Sequence, residues 1–254
     1  MILLDDVRLT LASEAGAVNV LRGVSLQIGK GETVALTGPS GSGKSTLMMV
    51  IGGLERASAG SVKVAGFDFA GLGEDALARL RREHVGIVFQ SFHLMPAMTA
   101  LENVALAIAE REGVAHDLLR PAGRHRHVVE EAFALLETLN LADEALRPVD
   151  TLAYGRQRLI EIAVALGLAP KVLLLDEPAA GVPSSETGLV AGVVERLPPD
   201  IAVLIIDHDM DLVFRLARRI TVMVEGRILI EGPPEAIGSD PQVRQVYLGE
   251  RARG

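Results

Sequence analysis

Thr33-Val34-Ala35-Leu36-Thr37 runs directly into Gly38-Pro39-Ser40-Gly41-Ser42-Gly43-Lys44-Ser45-Thr46, and a helical pattern over Lys44–Ile51 follows. A short β-branched run, a glycine-rich turn and a helix satisfy G-x-x-x-x-G-K-[ST] in the context that gives the pattern meaning. Triphosphate oxygens need many donors at short range. Glycines let backbone N–H groups turn inward with no β-carbon in the way, and the helix adds its positive N-terminal end. Lys44 supplies a full charge for the β- and γ-phosphates, and Ser45 a hydroxyl for Mg²⁺. A mere Gly/Ser turn is the blander reading. With 26 Gly in 254 residues, random placement yields the pattern roughly 0.003 times per chain. Gly38–Thr46 is therefore the expected nucleotide site, with ATP, GTP and kinase chemistry all open from this motif alone.

Working outward, Val85–Phe89, Val172–Leu175, Val203–Ile206 and Ile220–Val224 read as further buried strands. They alternate with helical patterns near Val128–Leu139, Arg156–Leu168 and Asp211–Ala217. Such alternation predicts an α/β fold with a mostly parallel sheet covered on both faces. Ile2–Leu11, Val20–Ile28 and Ser61–Ala65 precede this core and read as antiparallel strands. From about Ser91 to Asp150 no convincing strand occurs. That stretch, with a loop at Leu119–His127, reads as a helical lobe inserted into the core.

Composition narrows the class. The hydrophobic fraction is 49%, so a sizeable core can form, and the formal charge of −8 opposes a generic nucleic-acid binder. The clusters Arg79/Arg81/Arg82 and Arg120–His127 read as solvated surface. There are no cysteines, which excludes disulfide and thiolate chemistry. Acids at Asp5 and Asp6 stand where an export signal would carry Lys or Arg. No run reaches the ~18 uninterrupted apolar residues of a membrane span.

The strand Val172–Leu175 ends in Asp176-Glu177-Pro178. Alone, this could be a capped strand. Beside a phosphate loop the two carboxylates can divide the labour: Asp176 for the Mg²⁺ shell, and Glu177 to orient or deprotonate the attacking water. His208, just beyond Val203–Ile206, can contact the γ-phosphate, and Gln90, past Val85–Phe89, can reach Mg²⁺ or water. Neither would mean anything in isolation.

Taken in order, these residues resemble the ATP-binding subunits of ABC transporters. Walker A is Gly38–Thr46, the Q-loop is Gln90, Walker B ends in Asp176-Glu177 and the H-loop is His208. Leu152-Ala153-Tyr154-Gly155-Arg156 stands as the signature loop before a helix, and Ala180-Gly181-Val182-Pro183 as the D-loop. The resemblance implies a P-loop (RecA-like) core with an N-terminal antiparallel β subdomain (residues 1–90 with 156–232), an inserted helical subdomain (91–155) and a C-terminal extension (233–254). It implies ATP and Mg²⁺ as ligands, Ser45, Gln90 and Asp176 on the metal, and Glu177, His208 and Gln90 in catalysis. Two subunits, identical or different, would close head to tail, each ATP lying between one Walker A and the partner's signature loop. The implied partner is a separate transmembrane permease, which puts the chain peripherally on the cytoplasmic face of the inner membrane, with no role for nucleic acid.

At finer grain, Arg81–Pro96 and Ala100–Val104 are similar to lipoprotein-release and macrolide-exporter ATPases. From about Gly113 onward the chain is similar to branched-chain amino acid importer subunits, in Leu152–Gly155, Asp176–Pro183, His208–Val213, Glu231–Pro234 and Val246–Glu250. Amino acid uptake is the favoured cargo, because the importer-like portion is longer. Export is the alternative, and a P-loop ATPase or kinase uncoupled from transport is the alternative class. Soluble ABC ATPases carry two modules or a long coiled-coil insertion, and kinases lack the ordered motif series.

Four features depart from the family pattern. Ala153 stands where a serine hydroxyl would bond the γ-phosphate, with Arg156 at a glutamine position. No aromatic for stacking adenine occurs in Val7–Leu11, leaving Leu11 for apolar contact and base selectivity loose. The D-loop has Pro183 in place of an Asp. One missing neutral hydrogen bond costs on the order of 1 kcal/mol, so Ala153→Ser should raise the ATPase rate by up to about five-fold. Steady-state turnover of the two chains checks this, and no gain contradicts it.

Overall fold

The fold rests on two sheets whose strands differ in how they meet water. In a computed structural model that describes residues 1–13, 16–91, 93–115, 125–183 and 187–251, β1 (Ile2–Ser13), β2 (Gly16–Ile28), β4 (Ala59–Val64) and β5 (Phe67–Asp68) form an antiparallel sheet, order β2-β1-β4-β5. Alternate residues of its long strands face inward: Ile2, Leu4, Val7 and Leu9 of β1 are buried, as are Leu21, Val24, Leu26 and Ile28 of β2. That period of two is what a half-solvated antiparallel sheet requires.

The second sheet contains β3 (Thr33–Thr37), β6 (Val85–Val88), β7 (Val172–Asp176), β8 (Ala202–Ile206), β9 (Arg219–Val224) and β10 (Arg227–Gly232), in the order β10-β9-β3-β8-β7-β6. The central strands are parallel, and β10 pairs antiparallel to β9. Every residue of β7 and β8 is buried. Their side chains still sort by face. Leu173, Leu175, Val203 and Ile205 join the core built by the helical segment. Val172, Leu174, Ala202, Leu204 and Ile206 join the core shared with α1 (Lys44–Ile51) and the antiparallel sheet. Burying each such side chain contributes about 1.5–3 kcal/mol, so the two-sided strands anchor both layers at once.

The remaining helices are α2 (Glu74–His84), α3 (Ala100–Arg111), α4 (Arg126–Thr138), α5 (Tyr154–Gly167), α6 (Thr187–Glu195), α7 (Met210–Leu216), α8 (Pro234–Ser239) and α9 (Pro241–Arg251). Among the described residues of 91–150 no strand forms; a single isolated bridge joins Thr99 and Pro148. The helical segment does not make a separate core. Val104 and Ile108 of α3, Val128 and Leu136 of α4, and Leu159 and Ile162 of α5 pack in one cluster with β7 and β8.

Four expectations shift. The strand expected to end at Phe89 ends at Val88. α5 starts at Tyr154, not Arg156, so Ala153 is its N-cap and Gly155 and Arg156 lie in the first turn. The arginine cluster Arg79/Arg81/Arg82 lies on α2: Arg79 and Arg82 are exposed, while Leu77 and Leu80 are buried and Arg81 bonds the Gly53 carbonyl. The Leu119–His127 loop falls largely outside the described residues; His125 to His127 lead into α4, where Arg126 pairs with Glu130.

α3 opens on a reciprocal cap. The Thr99 side chain accepts from the Glu102 backbone N–H at 3.2 Å, and the Glu102 carboxylate accepts from the Thr99 N–H at 2.7 Å. Those two bonds satisfy otherwise orphaned donors, and the Thr99 N–H first, with the Thr99 hydroxyl, holds the Glu102 carboxyl below its ordinary range. Thr99→Ala should destabilise the fold by about 1 kcal/mol; an unchanged urea midpoint contradicts the cap's contribution.

Candidate functional site

The loop after β3 is shaped by what presses on it. Gly38 has φ +141°, and a β-carbon there would lie 2.0 Å from the Met223 carbonyl oxygen of β9. Gly43, at φ +100°, is the N-cap of α1 and lies against Val20 and Leu21 of β2. The loop is therefore wedged between a parallel strand of one sheet and a strand of the other. Among the described residues no side chain caps α1, and its first turn carries no acid, so its positive N-terminal end is suited to an anion. Lys44 Nζ arches back to the carbonyls of Gly38 and Pro39, both at 2.8 Å, which centres its charge over the loop.

Parallel pairing then brings the acids to the same edge. β8 separates β3 from β7 in the sheet, and Asp176 at the end of β7 sits in register with Ile206. Ser45 Oγ lies 3.5 Å from Asp176 Oδ1. Asp176 is 8% exposed. Burial pushes its carboxyl above the ordinary range, opposed by the Ser45 hydroxyl and the Lys44 charge. A desolvated carboxylate facing a hydroxyl at that distance is a donor set suited to a hard divalent cation.

Glu177 adopts φ +48°, a left-handed conformation that costs a non-glycine residue on the order of 1 kcal/mol. It is held there by its N–H to the Ile206 carbonyl at 2.8 Å and by its own carbonyl accepting from Ala180 N–H at 2.9 Å. The turn aims the carboxylate sideways. Oε2 accepts from Gln90 Nε2 at 3.0 Å, and Oε1 lies 3.6 Å from His208 Nδ1. Gln90, Glu177 and His208, 118 residues apart at the extremes by their numbers (208 − 90), thus converge, with His208 largely exposed.

The signature segment is placed differently. Leu152 is buried, while Ala153 and Tyr154 are exposed. Arg156 turns its guanidinium to Glu144, at 3.4 Å, and to the Asn140 carbonyl, at 3.1 Å, within the helical segment. Leu11 pairs with Val18, two pairs from the Ser13–Gly16 pair at the connected end of the β1–β2 hairpin, and both are exposed apolar residues.

Two buried polar groups escaped the sequence reading. Asn103 on α3 accepts from Met95 N–H at 2.8 Å and donates to the carbonyls of Met95, Met98 and Thr99. Arg158 and Glu161 on α5 hold the backbone around Gln90. A polar residue on the apolar stripe of each helix was the available signal.

Asp207, between β8 and His208, is 2% exposed. Oδ1 accepts from Asp209 N–H at 2.9 Å, and among the described residues Oδ2 has no hydrogen-bond partner. Burial raises the Asp207 carboxyl above its ordinary range. The folded chain then binds this proton more readily than the unfolded chain, so the contribution is fully present below the ordinary carboxylate range and is lost as pH rises through the raised value of the folded chain. Asp207→Asn should therefore gain stability relative to the parent over the pH range that opens above about 4, the ordinary carboxylate value. A difference in urea midpoint that stays flat or shrinks over that range contradicts this.

Comparison with known proteins follows the same lines. Residues 21–180 match the ABC transporter family model, and residues 227–253 match a model described as branched-chain amino acid ATP-binding cassette transporter. The chain is 40% identical over 222 residues to the lipoprotein-releasing system ATP-binding protein LolD of Anaeromyxobacter dehalogenans, covering 87% of this chain and 89% of LolD. It is 35% identical over 249 residues to the high-affinity branched-chain amino acid transport ATP-binding protein BraF of Pseudomonas aeruginosa, covering 94% of this chain and 96% of BraF. MJ0796, a bacterial ABC transporter cassette solved as a dimer, superposes with a TM-score of 0.77 at 30% identity, covering 92% of this chain and 99% of that one. With relatives this similar matched over nearly their whole length, the chain belongs to the ABC transporter family, as an ATP-binding subunit whose hydrolysis of ATP is coupled to transport.

Proposed function

We propose that this subunit hydrolyses Mg-ATP between two head-to-tail copies or paralogues and drives amino acid uptake through a transmembrane permease. The observation that carries the hydrolytic part is the convergence of Gln90 and His208 on the Glu177 carboxylate, beside Asp176 and the Lys44 loop. The backbone N–H groups of Gly38–Thr46 and the Lys44 ammonium bind the phosphates. Ser45, Asp176 and Gln90 would hold Mg²⁺, which supplies charge neutralisation on the β- and γ-phosphates. Glu177 accepts the proton of the attacking water or orients it, and His208 contacts the γ-phosphate from the neighbouring turn. The partner's Leu152–Arg156 segment would cover the nucleotide, presenting the N–H groups at the start of α5. Leu11 and Val18 offer the base apolar contact without stacking, consistent with loose base selectivity.

Residues 91–155 form the lobe that would meet the permease, with residues 1–90 and 156–232 as the catalytic body and 233–254 as an extension. Among the described residues no helix is long and apolar enough to cross a membrane. A peripheral position on the cytoplasmic face of the inner membrane follows from the permease requirement. Branched-chain amino acids are the favoured cargo, supported by the match of residues 227–253 and by similarity to BraF over nearly its full length. Lipoprotein release or macrolide export is the second reading, favoured by the similarity to LolD.

Glu177→Gln should keep nucleotide binding, lower turnover about 100-fold or more, and accumulate ATP-dependent dimers on size-exclusion chromatography. Parental turnover removes Glu177 from the role of base. Affinity capture from membranes should bring down a permease whose vesicles accumulate labelled leucine, isoleucine or valine. Capture of a lipoprotein-release or macrolide permease instead decides for the second reading.

A further inference from the structure

Arg158 and Glu161 lie one turn apart on α5 and are 0% and 6% exposed. A guanidinium with no access to water is costly unless it is paired with an opposite charge and hydrogen-bonded. Arg158 Nη1 bonds Glu161 Oε2 at 2.6 Å and the Phe89 carbonyl at 2.7 Å, and Nη2 bonds the Gln90 carbonyl at 2.8 Å. Glu161 Oε1 accepts from His93 N–H at 2.8 Å. Three of these bonds fasten the chain on both sides of Gln90 to one helix, the fourth joins the two α5 side chains to each other, and the Gln90 amide reaches Glu177 at 3.0 Å.

The same helix holds the segment after Glu177. Its first residue, Tyr154, stands over the Arg158 guanidinium at 5.9 Å from the ring centroid. The Tyr154 ring also lies so close to Gly181 that a β-carbon there would come within 2.9 Å of it, and Gly181 has φ +74°. The signature segment, the Gln90 backbone and the turn at Gly181 are therefore all tied to the N-terminal half of α5.

We propose that Arg158 is a positioning residue: with Glu161 it makes the placement of Gln90 against Glu177 follow the orientation of α5, whose N-terminus would cover the partner's nucleotide. This rests on the hydrolytic reading above. A planar guanidinium can meet two carbonyls and a carboxylate together, whereas the single nitrogen of lysine cannot span all three. Loss of the clamp leaves the phosphate loop intact and frees Gln90, so turnover suffers and binding does not.

The test is a double-mutant cycle in the full chain, with Arg158→Lys, Gln90→Ala and the pair. Arg158→Lys should lower kcat by at least about five-fold with the Kd for Mg-ATP within about two-fold, and should have no further effect on a Gln90→Ala background. An unchanged kcat, a loss confined to ATP binding, or an equal loss in both backgrounds overturns the proposal. Should Arg158→Lys fail to fold by circular dichroism, Glu161→Gln enters the same cycle with the same expectation. Hydrolysis by the parent chain with an additive cycle sinks this inference alone, while absence of hydrolysis by the folded parent sinks the hydrolytic reading with it.

Discussion

A backbone carbonyl of β9, that of Met223, occupies the space where a side chain at position 38 would begin. Only a glycine can make that close approach where the chain leaves β3, at φ +141°, before α1 takes over. Everything functional in the molecule is arranged relative to this point. β8 carries Asp207 and His208 to the same edge, β7 carries Asp176 and Glu177, and β6 delivers Gln90 from the far side of β7. A parallel sheet is what makes this possible, because its strands all end on one edge and ligands gather there.

The energetics divide along the same line. The strands that support the site are buried on both faces, and their alternate side chains serve two cores. The site itself lies at the strand ends, where burial raises the carboxyls of Asp176 and Asp207 and a left-handed turn holds Glu177. Local cost at the edge is offset by packing beneath it, the usual arrangement for a pre-organised site. The buried Arg158–Glu161 pair extends that arrangement sideways, from the sheet edge to the helix that begins at the signature segment.

Much of this was legible in the residues. β3, β7 and β8 announced themselves because β-branched and leucine runs bounded by turns leave little choice, and the phosphate loop was legible because its spacing is improbable by chance. α2 was hidden because only Leu77 and Leu80 mark its buried face among Glu74, Asp75, Arg79, Arg81, Arg82 and Glu83, so the stretch reads as charged surface. β10 was missed because its apolar run, Ile228-Leu229-Ile230, is only three residues long and lies between Arg227 and Glu231, and the strand alternates between partial and full exposure. α5 was placed two residues late, since Tyr154-Gly155 reads as turn chemistry while the chain there already follows helical geometry after Ala153. From the residues alone Arg158 and Glu161 had no assigned role. Only the packing of β6 and its following loop against α5 reveals them as buried, which is a tertiary fact that local spacing does not encode.

The account stands on a triphosphate held by the glycine turn and the Lys44 ammonium. Equilibrium dialysis of Mg-ATP against the folded chain and its Lys44→Ala variant measures this most directly. The account predicts saturable binding of one nucleotide per chain, weakened about ten-fold or more when the ammonium is removed. Folded protein that retains no nucleotide, or a variant that binds as tightly as its parent, would contradict it.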